Sequence, residues 1–186
     1  MINDVHQTFA NLILLTGARE SGKTSLLSEA LGKCRESAII AAGVISPAVF
    51  ENGVKTGIDL LDVRSGEKRR LADLRKAGSS GIMTDRWAFD SQTLEWGNKI
   101  FGSAVPCDLL LVDELGPIEL EKGLGLQNGI SSLNSRGYRM AIVVIRPELI
   151  QKALHFWPGL EVFDIDSCKP NNLELMMGKI SGLLKQ

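Results

Sequence analysis

Gly17-Ala18-Arg19-Glu20-Ser21-Gly22-Lys23-Thr24 lies between the apolar run Leu12-Ile13-Leu14-Leu15 and a stretch, Thr24 to Cys34, in which Leu26, Leu27, Ala30 and Leu31 recur at helical spacing. It fits GxxxxGK[ST] at every fixed position, with a strand before it and a helix after it. With glycine at about 7% of residues, a random chain of this length matches the pattern on the order of once in a hundred. The chemistry accounts for each residue type. Gly17 and Gly22 permit a backbone path whose N–H groups turn inward around an anion, and the amides of the following helix add partial positive charge. Gly17, Ala18, Arg19, Glu20, Ser21, Gly22, Lys23, Thr24 and Ser25 are therefore the candidate nucleotide-binding residues. Lys23 reaches the terminal phosphates as a point charge, and the Thr24 hydroxyl is a ligand for Mg2+.

A second constellation completes the site. Leu109-Leu110-Leu111-Val112 is an apolar strand that runs into Asp113-Glu114, some 90 residues beyond the loop. In a phosphate-loop fold, Asp113 joins Thr24 as the second metal candidate. Glu114 then bears on the reaction class. A carboxylate one residue past the metal Asp can orient and polarise an attacking water, whereas a transferase must keep water from its phosphoryl group. Asp-Glu favours hydrolysis, with Glu114 and Lys23 as candidate catalytic residues.

The rest of the chain is consistent with a sheet that carries these loops. Ile39 to Ile45, Met140 to Ile145 and the weaker Val162 to Ile165 are further apolar runs. Asp90 to Phe101, Gly129 to Ser135 and the stretch Leu173, Met176, Met177, Ile180, Leu183, Leu184 have helical periodicity. Near-continuous apolar strands separated by helices indicate a parallel sheet covered on both faces. Val54 to Val63, after the turn signal Glu51-Asn52-Gly53, breaks the alternation and reads as an antiparallel hairpin piece. Glu67 to Gly78 is dominated by charge, and its structure stays open. No repeat or linker divides residues 1–186, so one domain is expected.

Composition narrows the function classes. The chain has 186 residues, 44% hydrophobic and 23% charged, with net charge -1, so disorder and a global cationic field for nucleic acid or acidic membrane are excluded. Cys34, Cys107 and Cys168 form no CxxC pair, and His6 and His155 are the only histidines, so neither a disulfide framework nor a zinc site is supported. No apolar run approaches the roughly 20 residues of a membrane span, and the N-terminus lacks a secretory pattern; a cytoplasmic location is expected. Asn98-Lys99-Ile100-Phe101 lacks the Asp of NKxD, which argues against a guanine-selective switch and for tolerance among purines, ATP or GTP.

The loop together with Asp113-Glu114 resembles P-loop NTPases with a catalytic glutamate. More narrowly, Val112-Asp113-Glu114-Leu115-Gly116-Pro117-Ile118-Glu119-Leu120 is similar to the "IDEIGxMEL" hallmark of the small thermostable nucleoside-triphosphatase family, which includes a cancer-related nucleoside-triphosphatase. Gly43 to Ile58 resembles the "GFxTxEVRxxGxRxGF" hairpin of that family, and Arg86-Trp87-Ala88-Phe89-Asp90 its basic–aromatic stretch before a helix. The sequence departs at Phe50, where "EVR" has Arg, at Lys55, which is the second basic position, and at Asn171-Asn172-Leu173, where "NRD" is expected. These departures bear on substrate range.

The resemblance implies a three-layer α/β sandwich, mostly parallel, with an additional strand between the Walker A and Walker B strands, and hydrolysis of NTP to NDP and phosphate with Mg2+. It also implies that Met140–Ile145 is that additional strand, so that Arg146 points towards the γ-phosphate as a cis arginine finger. Arg19, Arg86 and Trp87 are weaker candidates, and Trp87 equally suits a core. Arg64 and Lys68-Arg69-Arg70 read as a solvated charged edge. A nucleoside or nucleotide kinase, and a nucleotide-controlled binding module with partner contacts at Pro106-Cys107 or an exposed Trp157-Pro158-Gly159, remain open alternatives; the identity of a protein partner is unknown from the sequence, and neither nucleic acid nor membrane is expected.

Overall fold

The runs Leu12–Leu15, Leu109–Val112 and Met140–Ile145 become strands because the centre of a two-sided sheet can bury every residue of a Leu/Ile/Val segment. The computed structural model describes residues 11–167 and 170–184, with side chains to 182. His6 and Cys168 lie outside the described residues, as do the side chains of Leu183 and Leu184. Strand β1 (Leu12–Thr16) leads into helix α1 (Lys23–Glu36), followed by β2 (Ala41–Ile45), β3 (Ala48–Glu51), β4 (Val54–Asp62), β5 (Lys68–Leu74) and β6 (Trp87–Phe89). Then come α2 (Ser91–Gly102), β7 (Cys107–Leu115), the short α3 (Pro117–Leu120), α4 (Gln127–Ser135), β8 (Tyr138–Ile145), α5 (Ile150–Phe156), β9 (Glu161–Asp164) and α6 (Asn172–Leu184).

The sheet order is β6-β5-β4-β2-β7-β8-β1-β9, with β3 paired to β4. Strands β2, β7, β8, β1 and β9 are mutually parallel. Strand β8 separates β1 from β7, which is the additional strand expected between the loop strand and the Asp-Glu strand. The remaining strands form an antiparallel wing on β2. The charged segment left open in the sequence is β5, an interior strand of that wing: its charges face outward or pair with acids, while Leu71 and Ala72 are buried.

Two cores flank the sheet, as alternation requires. Leu12, Leu14, Leu110, Val112, Ala141 and Val143 pack towards Leu94, Phe101, Leu133 and Trp157. Ile13, Leu15, Leu109, Leu111, Ile142 and Val144 pack towards Leu26, Leu27, Leu31, Met176 and Ile180, from α1 and α6. Buried Met176 is core filler, as its spacing predicts. Helix α2 starts where Asp90, its N-cap, accepts from the Thr93 amide at 2.7 Å through Oδ1.

One expectation is corrected. Trp157 is not an exposed loop residue: it is fully buried, and its Nε1 donates to Asn134 Oδ1 at 2.8 Å. A Trp-Pro-Gly string reads as a turn, and it is one, but the ring turns inward from the end of α5. Arg64 is exposed, as a solvated charged edge requires, and also donates to the carbonyls of Ser103, Ala104 and Pro106 in the connection that follows α2.

Candidate functional site

Open parallel sheets take ligands beyond the carboxyl ends of their strands, and the residues singled out in the sequence converge there. Residues 17–22 leave the end of β1 and enter α1. Gly17 (φ 147°), Glu20 (φ 60°) and Gly22 (φ 97°) hold positive φ, which turns the chain around the loop. At Gly17 any Cβ would overlap Ile165 and crowd Asp166, so glycine is required there by close approach as well as by φ. Lys23 is buried at the start of α1. Its Nζ donates to Gly17 O at 2.9 Å and Ala18 O at 2.7 Å, with Ser21 Oγ at 3.4 Å, so the ammonium stands at the centre of the loop. Ala18, Arg19, Glu20 and Ser25 are exposed; Ser21, Gly22 and Thr24 are partly buried.

Asp113 lies at the end of β7 and is 1% exposed. One oxygen accepts from the Ser46 amide at 3.0 Å, the Ser46 hydroxyl donates to the Asp113 carbonyl, and the Thr24 hydroxyl favours the ionised carboxylate. Burial pushes the Asp113 carboxyl up to about 7, and neighbouring Glu114 adds to this; Ser46, Thr24 and Lys23 act the other way. The donor set is therefore a hydroxyl and a carboxylate whose charge the protein leaves incompletely compensated. Among the described residues no three His, Cys, Asp or Glu side chains converge as a metal cage. A hydroxyl plus one carboxylate suits a hard octahedral cation that takes its other ligands from phosphate and water.

Glu114 and Arg146 meet. Arg146, immediately after β8, donates from Nε to Glu114 Oε1, and both side chains are about a third exposed. The arginine thus faces the carboxylate beside the metal candidate. Glu119, three residues beyond Gly116, accepts from the amides of Gly116 at 2.9 Å and Leu126 at 3.1 Å and so fixes the loop that leaves β7.

Sequence reasoning missed two partners. Asp166, just past β9, accepts from the Ala18 amide at 2.7 Å, and Ser46, just past β2, holds Asp113. Both follow apolar strands directly, and that position is the signal that finds them. Of the weaker candidates, Trp87 is buried on β6, with Arg86 4.9 Å and Lys55 Nζ 5.4 Å from its ring.

Solved structures share this fold. The human cancer-related nucleoside triphosphatase superposes with a TM-score of 0.72 at 20% identity, covering 95% of this chain and 99% of that one. THEP1 from Aquifex aeolicus gives 0.68 at 19% identity, over 94% and 99%. In sequence, the nucleoside-triphosphatase THEP1 of Caldivirga maquilingensis is 30% identical over 132 residues, 71% of this chain and 74% of its own length. That of Sulfolobus acidocaldarius is 30% identical over 72% and 76%. That of Methanopyrus kandleri matches at 29% over 59% of each chain. The model of the NTPase family matches residues 12–177, which takes in the loop, the Asp-Glu strand, the additional strand and the start of α6. This chain belongs to the NTPase family of nucleoside-triphosphatases.

Proposed function

We propose that the chain hydrolyses a nucleoside triphosphate to the diphosphate and inorganic phosphate, with Mg2+, at the mouth formed by residues 17–25, Asp113, Glu114 and Arg146. The observation that carries this reading is the position of Glu114, half-buried at the end of β7 and paired with Arg146, next to a buried Asp113 held by the Ser46 amide.

The loop amides and the Lys23 ammonium receive the β- and γ-phosphates, whose oxygens replace the loop carbonyls as partners of Nζ. Thr24 and Asp113 would hold Mg2+, which when bound draws charge from the phosphate oxygens. Glu114 accepts a proton from the attacking water as its oxygen bonds to the γ-phosphorus and the bond to the bridging oxygen breaks. Arg146 uses Nε on Glu114, and its four remaining N–H donors are of the right kind for the equatorial oxygens of the transferred group. Both ATP and GTP are expected substrates. No nucleic-acid or membrane role is assigned; no helix among the described residues is long and apolar enough to cross a membrane.

Phosphate release tests the reading. Purified protein with Mg2+ and ATP, GTP, CTP or UTP should release inorganic phosphate without any acceptor, and Lys23→Ala should lose much of its nucleotide affinity while staying folded. Transfer that depends on an added nucleoside or nucleotide, with negligible phosphate release, would make the chain a kinase. Tight ATP binding by folded Lys23→Ala would contradict the assigned loop.

A further inference from the structure

The antiparallel wing ends in a cation that the site, as read so far, does not use. Strands β3 and β4 are joined by Asn52 (φ 50°) and Gly53 (φ 78°), with Glu51 opposite Val54 and Phe50 opposite Lys55. Two successive positive φ values make the tight turn whose twist matches the paired strands, so the hairpin tip is a defined structure. At that tip the usual preference is inverted: Phe50 and Val54 are each 59% exposed, while Lys55 is drawn inward.

Lys55 is held from two sides. Its ammonium lies 5.4 Å from the centre of the Trp87 ring. Arg86, 4.9 Å from the same ring, donates from Nη2 to the Lys55 carbonyl at 3.4 Å. Among the described residues its Nζ makes no hydrogen bond and no ion pair. The charges it feels are those of the candidate site. Glu114 and the loop residue Glu20 favour the ammonium, Arg86 and Arg146 oppose it, and burial, the largest effect, lowers its pKa. A half-buried ammonium without an acceptor is costly, and an anion brought to the same mouth relieves that cost.

We propose that Lys55, carried by the β3–β4 hairpin and steadied by Trp87 and Arg86, binds the terminal phosphate of the nucleoside triphosphate and lets the site tell a triphosphate from a diphosphate. This rests on the phosphate site proposed above. Lys23 approaches that phosphate from within the loop; Lys55 approaches from the wing, on the side of Glu114. The hairpin thereby becomes a part of the site and more than a sheet extension.

The test compares wild type, Lys55→Met and Lys55→Arg for binding of a nonhydrolysable ATP analogue and of ADP, both with Mg2+, and for single-turnover ATP hydrolysis. Lys55→Met should weaken the analogue about tenfold to a hundredfold, the worth of one charge-assisted contact. ADP affinity should stay unchanged, hydrolysis should slow in step, and Lys55→Arg should retain most of the preference. An analogue-to-ADP ratio equal to wild type in Lys55→Met, or an equal loss for both nucleotides, overturns the proposal. Lys23→Ala run in parallel separates the two readings. If it leaves both affinities intact, the phosphate site itself is wrong; if it abolishes binding while Lys55→Met is silent, only the role of Lys55 is.

Discussion

Arg146 Nε donates to Glu114 Oε1 across neighbouring parallel strands, β8 and β7. Because both side chains are about a third exposed, the pair adds little to stability, about 0–1 kcal/mol. Its consequence is orientation. The guanidinium holds the carboxylate next to Asp113, and the carboxylate holds the guanidinium over the same mouth.

Turnover is the measurement that registers this pairing. Glu114→Gln should keep Mg-nucleotide binding and slow single-turnover hydrolysis by about 10²-fold or more. Arg146→Ala should slow it comparably, and the double variant should be scarcely slower than either single one, since groups that act as a unit are not additive. Independent, multiplying losses would show that the ion pair has no part in the reaction.

Trp157 makes a prediction about stability alone. Its ring fills the core and its indole donates to Asn134, so Trp157→Ala should cost about 3–5 kcal/mol in urea unfolding. Trp157→Phe should cost less, about 1–3 kcal/mol, chiefly by leaving Asn134 Oδ1 without its donor. Full stability in both would return this residue to the surface role its Trp-Pro-Gly context suggests.

Gly43 is the second place where backbone approach dictates a residue. At φ 102° a Cβ would overlap the Leu111 carbonyl oxygen on the adjoining strand. Gly43→Ala should therefore destabilise the fold by about 3 kcal/mol or more. It should also displace Ser46 from Asp113 and reduce metal-dependent nucleotide binding in the fraction that folds. Calorimetry and a binding titration read the two effects separately.

Cys107 should be chemically quiet. Burial raises its thiol from 9.0 to about 11, with Arg64 opposing and Asp108 adding. The thiolate fraction near pH 8 is then about a hundredfold below that of an ordinary thiol, so alkylation of the native protein should be slower by that order. The sign for stability follows. The neutral thiol is favoured in the fold, so the contribution is complete below pH 9 and is lost as pH rises through 11. Peptide mapping after timed alkylation at pH 8 checks the first statement; rapid modification at Cys107 would contradict its burial.

Much of the fold was legible because apolar runs of four or more residues have few places to go. Leu12–Leu15, Leu109–Val112 and Met140–Ile145 could be buried on every side only in the middle of a sheet with helices on both faces, and they are. The segment around Lys68–Arg70 was not legible, since its charges hide a strand whose buried residues are just Leu71 and Ala72. Trp157 was misread for the opposite reason: local turn chemistry is correct about the backbone and silent about where a ring points.

The sequence by itself determined the glycine-rich loop, the acid pair and the strands that carry them, because those depend on neighbouring residues whose spacing sets the local backbone. The order of the strands was expected only from family resemblance and is fixed by pairing across the sheet. Tertiary structure alone decided that Ser46 grips Asp113, that Asp166 braces Ala18, that Arg146 meets Glu114, and that a hairpin tip brings Lys55 into their field. Such contacts join positions 32 to 148 residues apart. Periodicity records which face a residue occupies, but only the packed sheet fixes what stands opposite it.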